Sequence, residues 1–244
     1  MLATFLSPLK TRYAERPARR SRRSPTLQED GHESGISRLR LPMAAAAALA
    51  LTCLIVGPAS AADTPLNLDC QAKPPIGSAQ TLTLAAGVDG TAPDTVTAGS
   101  SFTATLATQP MTVPGSVSGY TIKSIKNITL RAPVPANATL TGTSLSGGSG
   151  TGSGTPTVTV SGGEIVMTVP GPINGGQSFT LPTLTLNLTA AASGGVIETR
   201  LSGTSYSSPG LTFTASVPIL FTTVSVPTSC FPSPNPVLTS TTIS

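Results

Sequence analysis

The chain has 244 residues, a formal net charge of +4 and only 10% charged side chains. Its positive charge is confined to residues 1–42, which hold nine of the fourteen Lys and Arg, whereas the residues after Ala61 contain five basic and six acidic side chains. A nucleic-acid-binding surface needs clustered basic residues, so this composition excludes a nucleic-acid partner. The mature protein is not expected to span a membrane either, because no apolar run reaches the roughly 18 residues of a spanning helix.

The N-terminal part of the chain is predicted to direct export. Residues 1–42 are interpreted as a basic, disordered leader or as the result of a translation start assigned too far upstream. Residues 43–61 form an apolar core, a Gly-Pro break and the sequence Ala59-Ser60-Ala61. This is the layout of a helical signal peptide that is cleaved between Ala61 and Ala62. A twin-arginine signal at residues 21–23 is the alternative, although its arginines lie far ahead of the apolar core. Residues 62–244 are therefore predicted to be the mature, secreted or cell-envelope-associated protein.

Removal of the signal peptide leaves two cysteines, Cys70 and Cys230, one near each end of the mature chain. An even number of cysteines in an exported protein indicates a disulfide bond. We expect this bond to join a first strand at residues 66–69 to a last strand at residues 221–226. Two separate buried thiols are the alternative.

The mature chain alternates apolar and polar residues with a period of two, the pattern of half-buried strands. The clearest example is residues 155–171, where Val158 and Val160 alternate with threonine and Gly162-Gly163 provides a hairpin turn. A turn is also predicted at Asp89-Gly90, and a flexible loop at the glycine-rich residues 146–154. Short strands separated by Gly/Pro turns predict an all-β, antiparallel β-sandwich, either immunoglobulin-like or built from two packed similar β units. The other strands are predicted at residues 80–86, 101–106, 122–131, 139–145, 179–188, 196–201 and 211–226.

An internal repeat supports the second of these arrangements. Residues 111–115 (Met-Thr-Val-Pro-Gly) recur as residues 167–171, and the same offset of 56 residues aligns further strand residues. The repeat covers about residues 102–149 and 158–205. Two units are too few for a solenoid, so we expect them to pack on each other.

The residues that would carry common enzyme chemistry are scarce. The only histidine, His32, lies in the leader, so a histidine-activated nucleophile and a typical catalytic zinc site are not expected. The four carboxylates Asp89, Asp94, Glu164 and Glu198 are the remaining candidates, for a glycosidase pair. Asp89 and Glu164 lie at predicted turns, which favours a structural role. We therefore predict no catalytic residue, no metal site and no cofactor.

Four motifs of the mature region carry a resemblance to known proteins: Cys70-Gln71-Ala72-Lys73-Pro74-Pro75-Ile76-Gly77, Val169-Pro170-Gly171-Pro172, Leu201-Ser202-Gly203-Thr204-Ser205-Tyr206 and Val226-Pro227-Thr228-Ser229-Cys230. With these motifs the mature region resembles a group of small secreted actinobacterial proteins, some of which are labelled cyclases. The resemblance covers nearly all of residues 64–244, and it implies export and a β-rich fold without an established activity.

These observations predict a non-enzymatic structural or interaction protein of the cell exterior. One alternative is a module that binds an envelope glycan or lipid. A second is an enzyme, either a cyclase or a carboxylate-dependent glycosidase. The sequence does not specify the partner, and the candidates are a glycan, a lipid or a protein of the envelope.

Overall fold

The computed structural model describes residues 59–192 and 194–244, with side chains from residue 63 onward. The leader and most of the predicted signal peptide lie outside these residues. Within them all regular structure is β-strand, and no helix there is long and apolar enough to cross a bilayer. The strands are β1 (Ala59–Ala72), β2 (Gln80–Pro93), β3 (Thr95–Val96), β4 (Ser101–Thr108), β5 (Met111–Thr112), β6 (Ser116–Val117), β7 (Tyr120–Thr121), β8 (Ser124–Pro133), β9 (Ala138–Ser146), β10 (Thr157–Ser161), β11 (Glu164–Val169), β12 (Ile173–Asn174), β13 (Ser178–Phe179), β14 (Thr183–Ala190), β15 (Val196–Thr199), β16 (Leu211–Ile219), β17 (Thr222–Pro232) and β18 (Thr239–Ile243).

Eleven of these strands form one long antiparallel sheet in the order β10-β11-β8-β16-β17-β1-β2-β4-β14-β9, with β12 also paired to β8. The sheet curls until its end strands β10 and β9 lie side by side. Small sheets β13-β5, β6-β7 and β15-β18-β3 accompany it, and only the β18–β3 pairing within them is parallel. The predicted all-β, antiparallel architecture with packed sheets is confirmed. The layers that pack on each other belong largely to the same sheet.

One part of the interior is densely filled. In β14 the side chains of Leu184, Leu186 and Leu188 are buried, because the period of two turns every second residue inward. They belong to a cluster that also contains Ile197 of β15 and Ile243 of β18. The β15-β18-β3 sheet therefore fills this end of the curled sheet with apolar side chains.

The predicted turn at Asp89-Gly90 is wrong. Both residues lie inside β2, which pairs with β1 without interruption along fourteen residues. Glycine at position 90 instead lets the backbone of residue 238 pack closely against β2, because a Cβ atom at Gly90 would collide with the backbone carbonyl oxygen of Leu238. A glycine in a strand marks either a turn or such a contact, and the local sequence does not distinguish the two.

We expect Gly90→Ala to lower the free energy of unfolding by about 2–3 kcal/mol, since the neighbouring backbone has to move to admit the methyl group. Urea denaturation measures the change. Gly115→Ala is the matched control, because nothing lies within 4 Å of its Cβ position and its φ is not positive. The control should change the stability by less than about 1 kcal/mol. Equal stabilities of the two variants would contradict the close approach at Gly90.

The predicted strand at residues 211–226 is instead a hairpin of β16 and β17. Its turn lies at Leu220 and Phe221, and Leu220 has a positive φ of 48°. The chain then continues through β17 to Pro232 and on to β18, which the sequence analysis did not identify. The turn contains no Gly or Asn, the residues that usually mark a turn. The sequence there is apolar, so the predicted strand ran on across the turn.

The glycine-rich residues 146–154 are attached to the rest of the fold. Ser149 and Thr180 exchange both backbone hydrogen bonds, with N···O distances of 3.0 and 2.8 Å. Cβ positions at Gly150 and Gly152 would collide with backbone atoms of residues 178 and 171–172. The glycines allow this segment to lie against its neighbours, so the prediction of a flexible loop from composition does not describe it.

The two copies of the five-residue repeat occupy different strands. Met111 and Thr112 form β5, whereas Met167 and Thr168 lie in β11. Val113 and Val169 are both buried, in the same apolar cluster. The interpretation of residues 102–149 and 158–205 as two similar, packed β units stays a prediction.

Candidate ligand cavity

The second part of the interior contains a cavity of about 620 Å³. It is lined by five consecutive strands of the long sheet, β8, β16, β17, β1 and β2, and the segments around β5 and β13 complete its wall. The volume is within the roughly 300–1,000 Å³ of small-molecule sites.

The cavity wall is apolar. It is built largely by every second residue of its strands. In β2, for example, Leu82 and Leu84 face the cavity, whereas their neighbours Thr81 and Thr83 face outward. None of the described residues that line the cavity carries a charge. Its polar residues are few and mostly near the exposed end. The principal apolar lining residues are Leu66, Leu68, Leu82, Leu84, Val88, Met111, Val113, Ile122, Ile125, Ile128, Leu130, Phe179, Leu181, Leu211, Phe213, Val217 and Val226.

The open end of the cavity is formed by residues 73–80, 110–123 and 219–224, which we call the rim. Each of the three segments contributes lining residues that are also exposed, including Ile76, Tyr120 and Ile219. Ile76 and Leu220 are 88% and 93% exposed, and Phe221 is fully exposed. In the described part of the chain, five of the seven exposed large apolar side chains belong to the rim.

The rim also differs in charge from the rest of the protein. It contains Lys73 and Lys123, both exposed, and no acidic residue. The third lysine of residues 62–244, Lys126, lies three residues beyond it in β8. The two arginines of residues 62–244 lie outside the rim and form ion pairs, Arg131 with Glu164 at 3.1 Å and Arg200 with Glu198 at 3.0 Å.

The predicted disulfide bond is present. Cys70 and Cys230 are directly opposite each other in β1 and β17 and are bonded, with both side chains fully buried. The bond joins β1 to β17. The prediction took this strand as the last one, but β18 follows it. A buried disulfide is typical of proteins in an oxidising compartment.

The predicted cleavage site lies within β1, where Ala61 is opposite Thr91 and Ala62 is opposite Gly90. Cleavage between them would remove residues 59–61 from the strand and leave residues 62–72 paired with β2. Cleavage at this position stays a prediction.

The four candidate carboxylates lie outside the cavity. Asp89 in β2 accepts a hydrogen bond from the Gln109 side chain at 2.6 Å. Glu164 and Glu198 are each held by an arginine as described above, and Asp94 follows β2 directly. None of the four lines the 620 Å³ space. Among the described residues no group of three or more His, Cys, Asp and Glu side chains could hold a metal ion.

Neither the cavity nor its rim was predicted from the sequence. Alternation correctly turns Leu82 and Leu84 inward, but it does not indicate whether an inward side chain meets another side chain or open space. The sequence does contain one indication of the rim, since Ile219, Leu220 and Phe221 are three consecutive large apolar residues. Such a run breaks the alternation of a half-buried strand.

Comparisons of this chain with protein-family models, with curated proteins and with solved structures found no match.

Proposed function

We propose that this protein is a non-catalytic binding protein of the cell exterior that holds the hydrocarbon chain of a lipid in its cavity. The observation that carries the proposal is the uncharged, apolar wall around 620 Å³ of space. Among the alternatives predicted from the sequence, it favours lipid over glycan. A glycan needs hydrogen-bond partners for its hydroxyl groups, and leaving such groups unpaired in an apolar site costs free energy.

The expected affinity follows from the size of the ligand. Burial of a methylene group contributes about 0.8 kcal/mol, so about ten methylenes contribute roughly 8 kcal/mol. That free energy corresponds to a dissociation constant in the micromolar range, before the costs of association are subtracted. Longer chains should bind more tightly until the cavity is full.

The predicted export of the protein supports the proposal. The buried disulfide agrees with an oxidising compartment, and the predicted signal peptide agrees with secretion or retention in the envelope. An acyl chain outside the cytoplasm is poorly soluble in water, and an apolar cavity shields it. The resemblance to secreted actinobacterial proteins is compatible with this role, and it supplies no activity that opposes it.

The test is a pair of phenylalanine substitutions on the same strand. Ala86→Phe in β2 places a ring in the cavity, whereas Thr81→Phe places the same ring on the exposed outer face. We expect Ala86→Phe to weaken the binding of a fluorescent fatty acid at least tenfold, because the ring occupies the space of several methylenes. Thr81→Phe should bind as the wild type does.

The measurement is a fluorescence titration of the delipidated mature protein, followed by competition with saturated fatty acids of increasing length below their micelle concentrations. Thermal denaturation of each variant shows that the fold is retained. Equal affinities of the wild type and Ala86→Phe, or the absence of saturable binding to the wild type, would reject the proposal.

A further inference from the structure

The rim carries an exposed apolar surface that the cavity alone does not explain. Leu220 and Phe221 form the tip of the β16–β17 hairpin and point away from the lining, and neither belongs to the cavity wall. Ile76 projects from the segment between β1 and β2 at the same end of the molecule. Large apolar side chains at this level of exposure, gathered in one place, mark an interaction surface.

The backbone at the tip supports this interpretation. Leu220 has a φ of 48°, a conformation that glycine and asparagine adopt readily and that a leucine adopts at a cost. A leucine at such a position makes the turn less stable than an asparagine would. Its side chain is therefore better explained by an external contact than by the needs of the hairpin.

The charge of the rim indicates the nature of that contact. Lys73 and Lys123 are exposed in the rim and make no ion pair among the described residues, while all six acids of the mature chain lie elsewhere. Exposed apolar side chains surrounded by lysines match a bilayer that contains anionic lipids, since the apolar tips enter the acyl boundary and the lysines meet the headgroups.

We infer that the rim docks on the surface of an anionic lipid bilayer, with the hairpin tip at Leu220 and Phe221 inserted and the open end of the cavity facing the membrane. This inference rests on the proposed function, because the bilayer is the source or destination of the hydrocarbon chain that the cavity would hold. It adds a partner and an orientation that the cavity does not specify. It also explains why the exposed apolar residues and the unpaired lysines share one end of the molecule.

The test uses the mature protein and two kinds of vesicles, phosphatidylcholine alone and phosphatidylcholine mixed with phosphatidylglycerol. Co-sedimentation is expected with the anionic vesicles and should decrease as salt is added. The double variant Leu220→Asn/Phe221→Ser should bind at least tenfold more weakly while it remains folded, since asparagine suits the backbone at position 220. The control is Val160→Asn, which removes an exposed apolar side chain of β10 outside the rim and should leave binding unchanged.

A second variant separates the charges from the apolar tip. Lys73→Gln/Lys123→Gln should weaken binding to the anionic vesicles by up to about thirtyfold, which corresponds to about 1 kcal/mol for each lysine near the surface. Binding of this variant to the neutral vesicles should not change. Equal binding of the wild-type protein to neutral and anionic vesicles would overturn the electrostatic part of the inference.

Two further outcomes would overturn docking on a bilayer. One is the absence of binding to any vesicle. The other is self-association in sedimentation velocity that Leu220→Asn/Phe221→Ser abolishes, because a second copy of the chain would then cover the rim. The titration of a fluorescent fatty acid without vesicles distinguishes the two proposals: retained fatty-acid binding with no vesicle binding rejects only the docking. Vesicle binding without fatty-acid binding rejects the proposed function and leaves a membrane-bound protein whose cavity has another role.

Discussion

The double variant Cys70→Ala/Cys230→Ala is expected to unfold with a free energy about 3–5 kcal/mol lower than that of the wild type. The two cysteines are 160 residues apart in the sequence, so their bond removes a large number of conformations from the unfolded chain. The chain-entropy model gives roughly 5 kcal/mol for a loop of this length, which is the upper end of the expected range. Native pairing between β1 and β17 does not replace this contribution, because it is lost when the chain unfolds.

Urea denaturation with and without a reducing agent measures the effect. The wild type should lose stability on reduction, and the double variant should not respond to the reductant. If the variant were within about 1 kcal/mol of the oxidised wild type, the bond would contribute little to folding and the account given above would be wrong.

A comparison of two leucine-to-alanine substitutions should separate the filled part of the interior from the cavity. Leu186 of β14 is almost fully buried among packed side chains, whereas Leu84 of β2 is partly buried and borders the cavity. We expect Leu186→Ala to lower the free energy of unfolding by about 3–4 kcal/mol, within the range for buried leucines. Leu84→Ala should lower it by about 1–2 kcal/mol, because one side of Leu84 already lacks packing partners.

Chemical denaturation of both variants checks this difference. The delipidated protein is required, since a bound ligand stabilises the native state and would add its own contribution. Equal losses at the two positions would mean that the space beside Leu84 is filled in solution, and the cavity would then not be available to a ligand.

The fold class could be predicted because alternation of apolar residues and the glycine hairpin at residues 162–163 are local signals. The pairing of β10 with β11 follows directly from them. The disulfide could be predicted from cysteine number and compartment alone. In contrast, Gly90 was assigned to a turn because its real requirement, the carbonyl group of Leu238, is almost 150 residues away in the sequence. Long-range contacts of this kind leave no local pattern.

The last strand illustrates a second limit. β18 consists mainly of serine and threonine, yet Thr239 and Thr241 are buried, and the Thr239 hydroxyl is 2.8 Å from that of Thr199. A threonine can face solvent or satisfy its hydroxyl inside a sheet, so its presence does not show which face is buried. A strand made mainly of serine and threonine shows no alternation of apolar and polar residues, so this strand could not be predicted from the sequence. A cavity cannot be predicted for a similar reason, since leucines around a void and leucines in a packed core have the same sequence pattern.

The dense packing of the β15-β18-β3 sheet at one end of the molecule has a consequence for how cargo would be exchanged. A hydrocarbon chain held in the cavity would not leave through this packed end, so it would leave by the open end through which it arrived. A protein that binds lipid in this way would carry its cargo from one surface to another and would not act as a conduit. The residence time of the cargo would then be governed by the rim residues, which are the same ones that would meet the donor or acceptor surface.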